Sequence, residues 1–275
     1  MEQLKDFDQK YITLILEINK HIAGYIDAYI GPPDLQDEVN ARPLRSPDML
    51  LEDLSRLRDT LPTANAARHT YLQAMLRAVQ TTLLKLAGED IPYMEEVQRI
   101  YDIMPQRANE DRFLQAQNEL DTYLPGRGAL ADRFENWRNQ YNMPREELLP
   151  ALRTTQSETR ARTRALVDLP TADSVELELV NDQPWSAYNW FQGSGHSLIQ
   201  FNTDIPKSAL SLVDLMAHEG YPGHHTEAVV KEQILWRQHA YGEATAMLLN
   251  SPTAVISEGI ATTAVEIRMV MPEAM

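Results

Sequence analysis

Residues 218–225 are His218-Glu219-Gly220-Tyr221-Pro222-Gly223-His224-His225, and they contain three of the seven histidines of this 275-residue chain. A His-Glu-x-x-His helix holds two imidazoles four residues apart, so that both can reach one zinc ion while the glutamate addresses its bound water. Position 222, where the second histidine of that pattern would stand, is a proline here. The clustered histidines predict a metal site, but not one built on a straight helix.

The backbone must bend between His218 and His224 if both rings are to bind the same ion. On a straight helix, six residues would separate the two side chains by about 120° around the axis and about 9 Å along it. Pro222 lacks the N–H that would bond to the carbonyl of His218, and Gly223 can adopt conformations that other residues avoid. We therefore predict one helix that ends near residues 219–221 and a second that begins near Gly223.

A three-residue ligand set completes the predicted site. The break turns His224 back toward His218, while His225, one residue later, remains the alternative second ligand. The chain has no cysteine, so the third protein ligand must be a carboxylate or an imidazole. Glu258 is the candidate, because Ser251-Pro252 can begin a helix that places it in the second turn. That helix is otherwise apolar and carries small residues, which would let it approach a neighbouring helix closely.

Charge and composition narrow the range of partners. The 40 acidic residues against 25 basic ones give a net charge of −15, which repels phosphate backbones and anionic lipid surfaces. We therefore expect no nucleic-acid partner and no membrane partner. The first eight residues include Glu2, Asp6 and Asp8, whereas a secretory signal would begin with basic residues and continue with an apolar run. The chain contains no run of about 18 apolar residues that could span a bilayer. The expected location is the cytoplasm.

The spacing of apolar residues divides the chain into two regions. Residues 1–170 show helical periodicity and predict a scaffold of about seven helices. Two of the apolar stripes are Leu14, Ile15, Ile18, Ile22 and Ile26, then Leu72, Leu76, Val79, Leu83 and Leu86. Residues 171–275 are predicted to hold short strands near 175–180 and 197–202, an aromatic and glycine-rich loop at 184–196, and the motif helices. The predicted fold is mainly α: a multi-helix bundle with a small β-hairpin next to the metal site, in one continuous domain.

Two motifs carry a resemblance to a known family. Residues 218–225, followed by Glu258-Gly259-Ile260-Ala261, resemble the bacterial family catalogued as domain of unknown function 885, whose signatures are His-Glu-x-x-Pro-Gly-His-His and Glu-Gly-Trp-Ala. The resemblance is clear over residues 196–266. That family is similar to helical gluzincin peptidases, in which His-Glu-x-Gly-His and a later glutamate bind zinc. Matching Gly223-His224 to the Gly-His of those peptidases selects His224 over His225.

The resemblance implies a gluzincin-like zinc metallopeptidase that acts on short peptides. The expected cofactor is Zn²⁺, and its implied ligands are His218, His224 and Glu258. Glu219 would be the general base, which takes a proton from the attacking water and returns it to the leaving amine.

Four other side chains near the motif are candidates for supporting roles. His196 and Tyr221 are predicted to stabilise the developing oxyanion. Asp214 lies four residues before the first histidine of the motif and Glu227 three residues after His224, so either could orient an imidazole by accepting its second N–H.

Two departures from the family leave an alternative open. Ile260 stands where the family has tryptophan, and the chain stops at Met275 although family members are generally longer. The last helix is expected to expose apolar residues that need cover from a missing C-terminal segment or from a partner in an oligomer: Ile267, Met269, Val270 and Met271. The alternative is a non-catalytic or truncated helical domain that retains a remnant metal site. A di-iron bundle is disfavoured, because no histidine has a glutamate three residues before it.

Overall fold

Helices dominate the first 170 residues, as the apolar spacing predicts. The computed structural model describes residues 4–269, and within that part of the chain eight α-helices precede residue 170. They are α1 (Asp6–Asn19), α2 (Pro33–Ala41), α3 (Pro47–Arg58), α4 (Ala66–Leu86), α5 (Tyr93–Tyr101), α6 (Glu110–Tyr123), α7 (Leu130–Asn139) and α8 (Arg145–Arg164). The prediction of a mainly helical protein is confirmed.

The largest apolar core lies between α1, α3 and α4. Ile15 of α1, Leu54 of α3 and Leu76 of α4 are fully buried and belong to one cluster. Burying a side chain of this size contributes about 1.5–3 kcal/mol. The start of α4 is fixed by Asn65, whose side-chain oxygen accepts the N–H of Arg68 at 3.0 Å. This cap places Arg68 in the first turn of α4, from which its side chain reaches the cavity described below.

Residue 26 belongs to a strand rather than to the first helix. The predicted stripe continued to Ile26, but α1 ends at Asn19, whose side-chain oxygen accepts the N–H of Ile26 at 3.0 Å. Gly24, with a φ of 81°, turns the chain between them. Ile26–Tyr29 forms β1, which pairs antiparallel with β5 (Ala246–Leu248). This pairing joins the start of the chain to the region of the histidine motif.

A second sheet lies beside the motif helices. Its strands are β2 (Ser174–Val180), β3 (Ala187–Gly193) and β4 (His196–Asn202), in the order β2-β4-β3. The strands predicted near 175–180 and 197–202 are both present, but they pair in parallel. The predicted loop at 184–196 is wrong over most of its length, because its aromatic residues favour extended backbone and form β3. The small hairpin is present, but it joins β3 to β4 through Ser194-Gly195.

The histidine motif is divided between two helices. α9 (Leu212–Glu219) ends at Glu219, and α10 (His224–Lys231) begins at His224. The peptide bond between Tyr221 and Pro222 is cis. The N–H of Gly223 donates to the carbonyl of Ala217 at 2.8 Å, which holds the start of α10 against the end of α9. The predicted break in the helix is confirmed.

The chain then leads to the helix that carries Glu258. After α10 it continues through a π-helix (Glu232–Gln238) and β5 to α11 (Pro252–Thr262) and α12 (Ala264–Met269). The predicted start of α11 at Ser251-Pro252 is confirmed. The hydroxyl of Ser251 donates to the carbonyl of Leu248 at 2.7 Å and makes no bond to the first turn of α11.

Residues 4–269 contain no helix that is both long enough and apolar enough to cross a membrane. The apolar residues predicted near the end of the chain are Ile267, Met269, Val270 and Met271, and their side chains lie outside what the structure describes. The backbone of Val270 and Met271 also lies outside the described residues.

Replacing Gly223 with alanine is expected to destabilise the protein. A Cβ atom at this position would collide with the carbonyl oxygens of Ala217 and His218, and overpacking of this kind typically costs about 1–3 kcal/mol. The matched control is Gly259→Ala in α11, where a Cβ atom meets nothing within 4 Å and alanine is the better helix former. Thermal unfolding followed by circular dichroism should give a lower Tm for Gly223→Ala alone. Equal midpoints for the two variants would contradict the close approach at Gly223.

Candidate metal centre

The three predicted metal ligands meet at one point. His218 comes from the end of α9, His224 from the start of α10 and Glu258 from α11. Nε2 of His218 lies 3.6 Å from Oε2 of Glu258, and Nε2 of His224 lies 3.6 Å from Oε1 of the same carboxylate. The centroids of the two rings are 4.8 Å apart and their planes are perpendicular. All three ligand atoms lie within 4.8 Å of one another, so the group could hold a metal ion.

The spacing of these atoms is close to that around a tetrahedral ion but wider. Ligands bound at about 2.0–2.2 Å in tetrahedral geometry are separated from one another by about 3.3–3.6 Å. Each imidazole lies 3.6 Å from a different oxygen of Glu258, and the whole set, with one atom from each residue, spans up to 4.8 Å, so the side chains would draw together around an ion. The side chain of Glu258 is 63% exposed, because α11 borders solvent although most of its residues are apolar. The carboxylate therefore closes the group from its solvent side.

A hydrogen-bond chain sets the protonation of His224. Its Nδ1 lies 3.2 Å from the hydroxyl of Ser257, and that hydroxyl donates to Oε2 of Glu227 at 2.5 Å. Since the hydroxyl proton is directed to Glu227, the serine oxygen accepts from Nδ1–H, and the lone pair of Nε2 is left facing Glu258. Burial also lowers the pKa of His224, which favours the neutral ring that a metal requires.

Ser257 was not found from the sequence, and Glu227 was predicted to contact an imidazole directly. The structure shows that Glu227 reaches His224 through the serine, while Lys231 pairs with the same carboxylate at 2.5 Å. Asp214, the other residue predicted to orient a ring, is exposed on α9.

Glu219 lies beside the ligand group in the wall of the same cavity. Its side chain is buried, and burial, together with the charges of Glu258 and Asp27, raises the pKa of Glu219 to about 7. The side-chain amide of Asn189 in β3 donates to the backbone carbonyl of Glu219 at 2.5 Å. This bond ties the end of α9 to the sheet and holds the backbone of Glu219 in place.

A cavity of about 660 Å³ opens over the three ligands. Its wall includes Asp27 of β1 and Tyr188 of β3, and the hydroxyl of Tyr188 donates to the carboxylate of Asp27. Neither residue was selected from the sequence. Tyr188 belonged to the aromatic stretch predicted as a loop, whereas Asp27 gave no signal, because it reaches the site only through the pairing of β1 with β5.

The two predicted oxyanion donors do not line this cavity. Tyr221 is fully buried and donates to Oδ2 of Asp173 at 2.5 Å, so it cannot contact a substrate held at the three ligands. His196 is exposed at the start of β4, and its Nδ1 lies 2.5 Å from the hydroxyl of Ser174. The geometry gives neither side chain access to a substrate carbonyl at the metal group.

His225 faces away from the ligands into a buried polar cluster. Its Nδ1 lies 2.8 Å from the hydroxyl of Ser197, and its Nε2 lies 3.6 Å from Oδ2 of Asp173. Asp173 also accepts hydrogen bonds from Arg160, at 3.1 Å, and from Arg164. The second ring of the ligand group is therefore that of His224, as the resemblance implied.

Asp173 lies beside two residues of the motif, Tyr221 and His225, on the side opposite the cavity. Burial alone would raise the pKa of Asp173, but the His225 ring 3.6 Å away and hydrogen bonds from Arg160, Tyr221 and Arg164 outweigh that cost and hold its pKa well below the usual range. The carboxylate thus stays ionised at neutral pH and fixes two residues of the motif from the side opposite the cavity.

Comparisons with known proteins do not identify the chain. No protein-family model matches it, and neither the curated proteins nor the solved structures give a significant match.

One divalent metal ion per chain is expected to bind at this group. Replacing His224 with asparagine should lower the affinity by more than about 100-fold, because losing a ligand exceeds the roughly 10- to 100-fold effect of losing a residue that only orients one. Ser257→Ala should fall within that smaller range. His196→Asn, which changes an exposed histidine outside the cavity, is the control and should bind normally. Equilibrium dialysis with elemental analysis measures the series, and equal affinities for the two histidine variants would argue against the site.

Low pH should reduce the contribution of Asp173 to the stability of the protein. Because its pKa is lowered in the folded state, Asp173 stabilises the protein fully at neutral pH, and this contribution is lost progressively as pH falls below about 4. Asp173→Asn should therefore lower Tm clearly at pH 7, with a difference from wild type that begins to narrow near pH 4 and continues to narrow at lower pH. Asp214→Asn, at an exposed position, should track wild type throughout. A difference in Tm that stays constant with pH would show that Asp173 does not act through its charge.

Proposed function

We propose that this chain is a zinc-dependent metallopeptidase that hydrolyses peptide bonds in short peptides. The observation that carries the proposal is the convergence of His218, His224 and Glu258 at a cavity whose wall also holds the buried carboxylate of Glu219. Two imidazoles and one carboxylate form a ligand set that catalytic zinc sites use, with the fourth position left for water or substrate. The motif resemblance to the family of unknown function 885 agrees with this proposal.

The ligands present suit zinc better than the harder cations. Imidazole nitrogens are favoured by zinc and its neighbours among the transition metals, whereas magnesium and calcium prefer all-oxygen sites. Zinc held by these three side chains would polarise a carbonyl oxygen and lower the pKa of a water molecule.

Glu219 is assigned the proton transfers. It directly follows His218 in the chain, lines the cavity and has no basic side chain bonded to its carboxylate among the described contacts, so it is available to a water held over the ligands. Its carboxylate takes the proton from the attacking water and returns it to the nitrogen of the leaving amine. The bond from Asn189 to the backbone of Glu219 holds the end of α9, from which this side chain extends, against the sheet.

The cavity suits a short peptide rather than a folded protein. Its volume of about 660 Å³ lies within the range of about 300–1,000 Å³ that is usual for small-ligand sites. β3 is an edge strand of its sheet, and Ala187, Tyr188, Asn189 and Phe191 of this strand line the cavity. Backbone groups at a sheet edge can bond to an extended peptide, which supports peptides as the substrate class.

The test of this proposal is the Glu219→Gln variant assayed with short peptides. Loss of the general base should lower kcat by about 10²- to 10⁴-fold while zinc binding is retained, and a chelator should abolish the activity of the wild type. Glu89→Gln changes an exposed glutamate and serves as the control.

Two results would count against the proposal. Turnover by Glu219→Gln at the wild-type rate would remove the general base. Zinc binding by the wild type without cleavage of any short peptide would favour a non-catalytic domain with a remnant metal site.

A further inference from the structure

The basic side chains in the cavity wall already have acidic partners. Arg68 donates through Nε to Oε1 of Glu243 at 2.7 Å and through Nη2 to Oε2 at 2.6 Å, and it also bonds to Asp8. Lys231 lies 2.5 Å from Oε1 of Glu227. Among the described residues that line the cavity, no lysine or arginine is therefore left to receive the carboxylate of a substrate.

The five carboxylates that line the cavity differ in their partners. Two of the five carboxylates that line the cavity are those paired with Arg68 and Lys231, and a third is the ligand Glu258. A fourth, Glu219, is the proposed general base. The remaining one is Asp27, whose described hydrogen-bond partner is a neutral group, the hydroxyl of Tyr188.

Asp27 lines the same cavity as the three ligands and Glu219. Burial raises the pKa of Asp27, as expected for a carboxylate that is partly removed from water without a cation to pair with. An ammonium group brought to this position would supply the missing charge and donate up to three hydrogen bonds.

We propose that Asp27 binds the protonated α-amino group of the substrate, so that peptides with a free amino terminus are the substrate class of this site. The inference rests on the proposed function, because it takes the metal group as the place where the peptide bond is cut. An amino terminus held beside that group brings the first peptide bonds of the chain over the ligands. The activity is then that of an enzyme that shortens peptides from their amino end.

The experiment compares two peptides that differ in one group. Leu-Gly-Gly-amide and its N-acetyl derivative have the same side chains and no carboxylate, so their affinities report only on the terminal amine. Isothermal titration is carried out on zinc-loaded Glu219→Gln protein and on metal-free wild type. The metal-free measurement removes direct binding of the amine to zinc, and neither sample turns the peptide over.

Wild type without metal should prefer the free amine by about 10- to 100-fold, as for a hydrogen-bonded charge pair. Asp27→Asn keeps an oxygen that can accept from Tyr188 but loses the charge, and it should bring the two affinities within about 3-fold of each other. Tyr188→Phe is the matched control, because it removes the hydroxyl, leaves the carboxylate and should retain the preference.

Three results would overturn the proposal: equal affinities of wild type for the two peptides, a preference that survives in Asp27→Asn, or no binding of either peptide. An equal loss of kcat/KM for both peptides in Asp27→Asn would overturn it too, since Asp27 would then act only by positioning Tyr188. A preference for the free amine without any turnover by the zinc-loaded wild type would instead leave this inference standing and count against the metallopeptidase. Turnover of both peptides with equal kcat/KM would support the metallopeptidase and count against binding of the amino terminus by Asp27.

Discussion

The close backbone approach at Gly223 is the constraint on which the site depends. Its N–H donates to the carbonyl of Ala217 at 2.8 Å, and its Cα packs where any Cβ would collide with the carbonyl of His218. The first turn of α10 can therefore fold back against the last turn of α9, and His224 meets His218 with ring centroids 4.8 Å apart. A continuous helix would have placed the same rings on different faces.

The two adjacent histidines hold this bend from opposite sides. His224 faces the cavity, where Ser257 and Glu227 set its tautomer, while His225 lies buried between Ser197 and Asp173. Charged and polar partners on both sides resist rotation of the first turn of α10. The ligand rings are thus preorganised by the fold, which lowers the free-energy cost of ordering them when an ion binds.

The features of the site that could be predicted from the sequence are those set by residues close together in the chain. The break and the start of α10 follow from Pro222 and Gly223, because each reflects a rule that acts over a few residues. The clustered histidines indicate a metal site, but the choice of His224 over His225 needed the resemblance to a known family. Asp27 could not be predicted, since it enters the cavity through a pairing of β1 with β5 that no periodicity reports. Tyr221 failed as an oxyanion donor because Asp173, 48 positions away in the chain, draws its hydroxyl into the interior.

Charge balance relates the candidate metal site to the proposed substrate. Glu227 pairs with Lys231, and Glu243 shares Arg68 with Asp8. Among the described residues, three carboxylates of the cavity have no lysine or arginine partner: Asp27, Glu219 and Glu258. A divalent cation between the imidazoles and Glu258 would offset two of those charges, and a substrate ammonium at Asp27 would offset the third. A peptide carboxylate at the same place would increase the imbalance. In a protein with a net charge of −15, repulsion at long range acts in the same direction, so both the local and the overall field favour the amino end of a peptide.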